Sequence, residues 1–208
     1  MTKPALTLTL VLLAAIRGVK CDSCAMPWSA GGEGFRCLSC LDDPLPVGWT
    51  EAWGHYRGSL ARLLHAFKFE RHDFLDAPLA ELLESTLRER GDLDFDAVVA
   101  VPMHRAKLRQ RGYNQAELLA RKLSRRIGIP YDGALLLKER DREPQSTLPR
   151  GERARNVRGL FAAGATAKGR AFLLVDDICT TGETLRACAG AIRKEGASRV
   201  CAIVVAKA

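Results

Sequence analysis

The sequence predicts an α/β fold with a largely parallel sheet, and three observations support this prediction. Short apolar runs at 94–102, 171–177 and 200–206 have the length and composition of buried strands. Helical patterns that end at a glycine lie between such runs, as at 116–128 and 182–196. Apolar strands that alternate with helices are typical of parallel sheets covered by helices on both faces.

The remaining elements extend this pattern along the chain. A short strand is predicted at 51–58, followed by a helix with apolar residues spaced along 60–67 and a second helix at 77–90. Residues 134–140 (ALLLKER) are a further strand candidate. Residues 142–161 are polar and have no regular apolar period, so a long loop is expected there.

The chain is expected to comprise a small N-terminal segment over residues 1–45 and a main domain over 46–208. With 208 residues, 47% of them apolar, it can form one core plus a small attachment. Residues 5–16 (ALTLTLVLLAAI) predict an apolar helix that packs on the body, and a secretory signal is the alternative. The run is too short to span a membrane. Because Arg17 and Lys20 after it oppose export, a cytoplasmic protein is expected.

Four of the seven cysteines form two pairs in the N-terminal segment. Two residues separate Cys21 from Cys24 and Cys37 from Cys40, and twelve residues lie between the pairs. This spacing is typical of a tetrahedral structural zinc site with four thiolate ligands. Two disulfides are the alternative, which a reducing compartment disfavours.

The surplus positive charge of the chain is concentrated in its middle. The net charge is +8, and residues 103–158 contain 15 basic and 6 acidic residues, whereas the rest of the chain is nearly balanced. A local basic field favours an anionic ligand, either the phosphates of a small molecule or a nucleic-acid backbone. A solvated helix face is the alternative.

The stretch FLLVDDICTTGETL at 172–185 joins a buried strand to a helix through two aspartates and a threonine-rich turn. Ligands of parallel sheets bind beyond the carboxyl ends of the strands, which is where Asp176 and Asp177 are expected. The turn offers backbone N–H groups, hydroxyl groups and a glycine, which suit a phosphate. Carboxylates repel a phosphate, so the aspartates indicate sugar hydroxyls or Mg²⁺ beside it. A helix cap is the simpler alternative, although it needs fewer of these residues.

The same stretch, LLVDDICTTGET, resembles the phosphoribosyl pyrophosphate (PRPP) signature of type I phosphoribosyltransferases. The resemblance implies that Asp176 and Asp177 are the catalytic residues that contact the ribose hydroxyls, and that Mg²⁺ accompanies PRPP. It implies that the 5-phosphate is held by a turn made of Cys179, Thr180, Thr181, Gly182, Glu183 and Thr184. Thr180 stands where the hypoxanthine-guanine enzymes have an aspartate that handles the base proton, so purine salvage of that type is disfavoured.

Further stretches resemble the ComF family, in order along nearly the whole chain. They are the paired cysteines and the segments YRGSLARLLHAFKFE (56–70), VPMHRAKLRQRGYNQAELLAR (101–121) and QSTLPRGERARNVRGLF (145–161). ComF proteins are associated with competence and carry a phosphoribosyltransferase domain behind a small zinc-binding segment. The resemblance implies this fold and a role in natural competence and DNA uptake.

Two basic segments are expected to contact phosphates. The loop that binds pyrophosphate in phosphoribosyltransferases corresponds to Met103, His104, Arg105 and Ala106, while Lys107 and Arg109 can equally be surface residues of a following helix. The long loop at 141–158 is expected to be a lid that closes over PRPP and excludes water. The arginines expected to act in this lid are Arg150, Arg153, Arg155 and Arg158. A disordered excursion is the alternative.

These inferences lead to two hypotheses about function. The first is a Mg²⁺-dependent PRPP-binding protein that transfers a phosphoribosyl group to an acceptor which the sequence does not identify; whether turnover occurs is left open. The second is a nucleic-acid-associated DNA-uptake factor that binds a nucleotide-like ligand without turnover. The expected partners are PRPP or a related ribose phosphate, single-stranded DNA and a protein of the DNA-uptake machinery. Because few aromatic residues lie in the basic block, DNA binding is expected to be sequence-independent and sensitive to salt.

Overall fold

Four parallel strands form the central sheet of the protein. The computed structural model describes residues 15, 19–27, 34–138 and 160–208. The strands are β1 (Thr50–His55), β2 (Ala97–Ala100), β5 (Ala171–Cys179) and β6 (Arg199–Lys207), arranged in the order β1-β6-β5-β2. Two short strands, β3 (Leu136–Lys138) and β4 (Phe161–Ala163), form a separate antiparallel pair.

Helices cover this sheet. Those that the structure describes are α1 (Leu38–Asp42), α2 (Gly58–Phe69), α3 (Asp76–Arg90), α4 (Arg105–Arg111), α5 (Gln115–Ile127) and α6 (Glu183–Lys194). Helix α3 packs on α5, and α5 packs on β2 and β5. The crossover from β5 through α6 to β6 runs along the sheet in the opposite direction to the crossover from β1 to β2. Right-handed connections therefore place α6 on the opposite face from α3.

The core lies around the two central strands. The residues of β5 from Phe172 to Val175 and those of β6 from Val200 to Ala206 are fully buried. Both strands are continuous apolar runs, as expected where helices cover both faces of a parallel sheet. The three-residue strand β3 has one buried residue, Leu136, and an exposed one, Leu137.

The predicted α/β class is confirmed, and the strands expected at 51–58, 94–102, 171–177 and 200–206 are present as β1, β2, β5 and β6. Two details differ from the prediction. The run at 134–140 forms β3, but β3 pairs with β4 and does not join the central sheet. Strand β5 continues to Cys179, so the two aspartates lie within the strand and not after it.

Some predictions concern residues outside the described part of the chain. They are the apolar helix at 5–16 and the lid at 141–158, including the four arginines expected to act in it. The division of the chain after residue 45 stays a prediction. In the described ranges, every helix is too short or too polar to cross a membrane.

A partly buried ion pair and an indole hydrogen bond join the starts of β1 and β6 to the turn before β2. The indole Nε1 of Trp49, which precedes β1, donates to Asp92 Oδ2 at 2.8 Å. The guanidinium of Arg199, at the start of β6, donates to both carboxylate oxygens of Asp92 at 3.0 and 3.2 Å. Burial alone would raise the pKa of Asp92, but the hydrogen bonds from Trp49 and Arg199 lower it below its ordinary value.

We expect Asp92→Asn to destabilise the fold by about 1 to 3 kcal/mol at pH 7, because the charged acceptor of three hydrogen bonds is lost. A carboxylate with a lowered pKa in the folded state stabilises the protein above its unfolded pKa, about 3.9, and loses this contribution as the pH falls through the folded pKa. The difference in urea stability between wild type and Asp92→Asn should therefore be full at pH 7 and should begin to decline only below about pH 4. The exposed Asp94→Asn is the control, and an equal loss in both variants would contradict the prediction.

Candidate functional site

The two aspartates and the basic loop start from neighbouring strands. Strand β2 pairs with β5 as far as Ala100 and Val175, and the Val101 N–H donates to the Val175 carbonyl at 3.0 Å. Beyond this point the chain continues into Met103 on one strand and into Asp176 on the other. Because all four strands are parallel, these residues lie at the carboxyl edge of the sheet, where ligands bind in open α/β sheets.

Asp177 is paired with a lysine from a distant part of the chain. The Lys68 Nζ, in the last turn of α2, lies 2.9 Å from Oδ2 and 3.1 Å from Oδ1 of Asp177. Asp177 is only 5% exposed. An unpaired carboxylate is costly to bury, so the lysine stabilises Asp177 in place. The sequence analysis did not identify Lys68, although it lies within the stretch 56–70 that resembles the ComF family.

Asp176 lies in a different environment from its neighbour. Burial, together with the carboxylate of Asp177 beside it, raises the pKa of Asp176 to about 8. Its Oδ1 accepts a hydrogen bond from the backbone N–H of Asp177 at 2.8 Å. The surroundings of Asp176 therefore disfavour its charged form, whereas Asp177 is paired with Lys68. A ligand hydroxyl that donates to Asp176 would favour its ionised form.

Three consecutive residues hold the end of α2 beside the end of β2. The Tyr113 hydroxyl donates to the Phe67 carbonyl at 2.6 Å, and the Gln115 Nε2 donates to the Lys68 carbonyl at 3.3 Å. The Asn114 Nδ2 donates to the Val101 carbonyl at 3.0 Å, while its Oδ1 caps α5. These contacts position the backbone of Lys68. Residues 113–115 therefore hold in place the helix end that supplies the partner of Asp177.

The threonine-rich turn lies open between β5 and α6. Thr180, Thr181 and Thr184 are exposed, whereas Gly182 is buried and has a φ of +82°. Helix α6 begins at Glu183, so its first backbone N–H groups have no partner within the helix. The Lys207 Nζ donates to the Thr180 carbonyl and holds the turn against β6.

Cys179 is the first of the residues that are predicted to bind the 5-phosphate, and its surroundings differ from those of the threonines. Its side chain is buried, and burial raises the pKa of the Cys179 thiol to about 11. A neutral buried thiol is a weak partner for an anion. The open side of the turn is therefore formed by the hydroxyl groups of the three threonines and by the start of α6.

The predicted pyrophosphate loop runs into a helix. Met103 and His104 precede α4, and Arg105 and Ala106 form its first turn, where the His104 Nδ1 accepts a hydrogen bond from the Ala106 N–H at 3.3 Å. Arg105, Lys107 and Arg109 are all exposed, and in the described part of the chain no acidic group lies within ion-pair distance of any of them.

Three of the four cations of the next helix form ion pairs. On α5, Arg121 contacts Glu117 at 2.8 Å, Lys122 contacts Asp76 at 3.4 Å, and Arg126 contacts Glu81 and Glu84. The basic block therefore contains two kinds of surface. Helix α5 matches the alternative of a solvated, ion-paired helix face, whereas α4 carries positive charge next to the carboxyl edge of the sheet.

The four N-terminal cysteines come together as the spacing predicts. The Sγ atoms of Cys21, Cys24, Cys37 and Cys40 all lie within 4.8 Å of one another, and those of Cys24 and Cys37 are 3.8 Å apart. Four sulfurs arranged tetrahedrally around zinc, at about 2.3 Å from it, are about 3.8 Å apart. All four thiols are free, so no disulfide competes with metal binding. The donor set fits a metal ion such as zinc.

The environment of the thiols also favours a metal. Burial raises the pKa of Cys24 and Cys40. Burial acts in the same direction on Cys21, but backbone N–H groups of Cys37, Cys24 and Ser23 lower the pKa of Cys21 below its ordinary value. One of these, the Cys37 N–H, lies 3.3 Å from the Cys21 Sγ. A divalent ion would compensate the charge of buried thiolates, which would otherwise be unfavourable.

A parallel α/β sheet with a polar carboxyl edge and an attached four-cysteine segment fits a protein with a phosphoribosyltransferase-type fold, and the comparisons agree. The Phosphoribosyl transferase domain family matches residues 110–208. The DNA utilization protein YhgH of Salmonella typhi is 30% identical over 184 residues, which cover 86% of this chain and 80% of that protein. Competence protein F of Haemophilus influenzae is 31% identical over 172 residues, which cover 79% and 75%. The chain belongs to the ComF family.

Solved structures are also similar to the chain. One of them is the glutamine PRPP amidotransferase from B. subtilis complexed with ADP and GMP, with 23% sequence identity and a TM-score of 0.44. The similarity covers 62% of this chain and 26% of that chain, so this protein spans about a quarter of that enzyme's length.

We expect the purified protein to contain one zinc ion per chain, because the four thiols match the geometry of a closed structural site. Cys40→Ala should lose the ion and lower the melting temperature, whereas Cys201→Ala, which removes a buried thiol elsewhere, should retain it. Metal content by mass spectrometry and thermal unfolding are the measurements. A metal-free wild type with four titratable thiols in this segment would contradict the prediction.

Proposed function

We propose that this protein binds PRPP together with Mg²⁺ at the carboxyl edge of its sheet, as a step toward transfer of the phosphoribosyl group. The observation that carries the proposal is the arrangement of three features at one edge. A paired carboxylate, an open threonine-rich turn and a helix with exposed cations follow from adjacent strands. These features match, in order, a ribose, its 5-phosphate and a pyrophosphate.

Asp176 and Asp177 are the residues that we propose for the ribose. Hydroxyl groups at positions 2 and 3 of the ring would donate to their carboxylates. The Lys68 ammonium, 2.9 Å from Asp177, fixes that carboxylate before the ligand binds. A preformed acceptor costs less reorganisation on binding, so Lys68 belongs to the proposed site as a positioning residue.

The two ends of PRPP would contact two different elements. The 5-phosphate would accept hydrogen bonds from the threonine hydroxyls of the 180–184 turn and from the backbone at the start of α6. The pyrophosphate would contact residues 103–106 and the exposed cations Lys107 and Arg109. Bound Mg²⁺ would screen the negative charge of the pyrophosphate. The arginines at 150–158 are proposed to close over the ligand.

Transfer would break the bond between the anomeric carbon and a pyrophosphate oxygen. A new bond would form from that carbon to a nucleophile of the acceptor. The proton of the nucleophile would pass to solvent or to a base on the acceptor. Arginines at the pyrophosphate would stabilise the departing charge. Thr180 cannot act as a general base, so the turn supplies no side chain at that position to activate the acceptor. The four free thiols of the metal segment and the nature of the ligand are consistent with a cytoplasmic location.

We expect calorimetry to show binding of PRPP that requires Mg²⁺ and that is weakened at least about tenfold in Asp177→Asn and in Lys68→Met, because each change leaves one member of a buried ion pair alone. Asp176→Asn should weaken binding as well. Lys194→Met, which removes an exposed lysine from the far end of α6, is the matched control and should bind like wild type.

The outcome that would overturn this proposal is a folded, metal-loaded wild type that binds no PRPP at about 1 mM ligand, a concentration at which even a weak site with a free energy near −4 kcal/mol is half occupied. Binding that is equally strong in Asp177→Asn and Lys68→Met would place the ligand elsewhere on the protein.

A second candidate function is supported by exposed aromatic residues beside the basic helix. Phe69 is 58% exposed and Phe74 is 66% exposed, both in the segment around the end of α2. The Arg111 guanidinium of α4 lies 4.9 Å from the centre of the Phe69 ring, and the His72 ring lies 5.2 Å from that of Phe74. Aromatic faces combined with cations are suited to single-stranded nucleic acid. The sequence analysis missed this surface because Phe69 lies far from the basic block along the chain.

We expect a fluorescently labelled oligo-dT to bind this surface and Phe69→Ala or Phe74→Ala to weaken binding at least about fivefold, the smaller end of the effect of losing one stacked base. Leu93→Ala, which truncates another partly exposed apolar side chain, is the control. The affinity should fall steeply with salt. Anisotropy curves that are identical for wild type and both phenylalanine variants would exclude this surface as the DNA site.

A further inference from the structure

The first half of α6 is bonded to the chain that directly follows the fourth cysteine. The Arg186 guanidinium donates to the Pro44 carbonyl and to the Asp43 carbonyl, each at 2.9 Å. It also forms an ion pair with the Asp43 carboxylate at 3.0 Å. A single side chain therefore connects three acceptors, three and four residues after Cys40, to the helix that begins at the threonine-rich turn.

The turn itself rests on the same segment. A Cβ atom at Gly182 would lie 3.1 and 3.2 Å from the two methyl groups of Leu45, which is closer than side chains normally approach. Leu45 is buried. Gly182 combines this close contact with a φ of +82°, so the backbone of the turn lies directly on the Leu45 side chain.

Leu45 is in turn connected to the cysteine cluster. The Leu45 N–H donates to the Ser23 Oγ at 3.0 Å, and Ser23 lies buried between Cys21 and Cys24. The second cysteine pair is connected to the same residues through α1. This helix carries Cys40 and ends at Asp42, and the Asp43 N–H donates to the Ser39 carbonyl. Contacts thus run without a gap from the cysteines through residues 43–45 to Gly182 and Arg186.

Helix α1 buries only Cys40, whereas the first cysteine pair is also bonded to the body, because the carbonyls of Asp22 and Ser23 accept hydrogen bonds from Thr50. Helix α1 has five residues, and its side chains Leu38 and Leu41 are 77% and 62% exposed. A helix of this length is not stable in isolation. The four sulfurs are the common point on which both arms of the segment converge, so a bound metal would determine the position of residues 43–45.

We propose that the metal at the four cysteines orders residues 43–45 as a brace for the 180–184 turn, and that Arg186 is the positioning residue that transmits this order. The inference rests on the proposed function in one respect, namely that the turn is the phosphate site. If the turn binds phosphate only when braced, metal and ligand stabilise each other, because coupling between two sites is reciprocal.

Hydrogen exchange tests the brace without any ligand. Backbone exchange is compared in four samples: zinc-loaded wild type, chelated wild type, zinc-loaded Arg186→Ala and zinc-loaded Arg193→Ala. Arg193 is the matched control, since it lies on the same helix and donates to the Ser198 carbonyl at 2.8 Å. Zinc content is measured in each sample, so that loss of the metal is distinguished from loss of the brace.

Chelation should increase exchange of residues 180–186 at least about tenfold, and Arg186→Ala should do the same while retaining its zinc. Arg193→Ala should leave the turn unchanged. A turn that exchanges at the same rate in Arg186→Ala and Arg193→Ala overturns the proposal, and this holds even where chelation unfolds a larger part of the protein. Equal exchange of the turn in loaded and chelated wild type also overturns it.

A ligand measurement separates this proposal from the proposed function. Ribose 5-phosphate is titrated into the zinc-loaded variants, and Arg186→Ala should bind at least about fivefold more weakly than Arg193→Ala, within the usual range of coupling between sites. Bound ribose 5-phosphate should slow zinc release to a chelator in wild type and not in Arg186→Ala. If wild type fails to bind the sugar phosphate, the proposed function fails, while the exchange data still decide whether the brace exists.

Discussion

The buried carboxylate of Asp177 imposes a constraint on everything around it. It lies at the end of a central strand, where the sheet brings it close to the core and supplies no partner for its charge. Lys68 supplies that partner from α2, and this requires the end of α2 to lie over the carboxyl edge of the sheet. The hydrogen bonds from Tyr113 and Gln115 to carbonyls at the end of α2 hold it there.

The same constraint separates the roles of the two aspartates. Asp177 is compensated by a cation, whereas burial and the neighbouring charge raise the pKa of Asp176 to about 8. Two chemically identical side chains, adjacent in sequence, thus have different electrostatic environments. A ligand that meets both would find one carboxylate fixed by a lysine and one whose charged form is disfavoured until a hydrogen-bond donor reaches it.

The sequence predicts best what depends on nearby residues. Apolar runs and glycine stops locate the central strands and most helices, and the spacing of the four cysteines predicts a cluster that the structure forms. The partners of Asp177 and of Arg186 could not be predicted in this way. Lys68 is 109 residues from Asp177, and Arg186 is 142 residues from Pro44, so no local pattern relates them. The strand candidate at 134–140 forms β3, but its partner β4 could not be predicted, because three residues carry too little periodicity to show which strand they pair with.

The antiparallel pair of β3 and β4 has a consequence for the length of the chain between them. Lys138 and Phe161 are direct partners in this pair, so the two ends of the intervening sequence are fixed beside each other. The entropy of closing a chain between two such points grows only slowly with its length. The number of residues between β3 and β4 can therefore change without disturbing the central sheet. The pair marks a point at which evolution or an engineer can exchange one stretch of sequence for another.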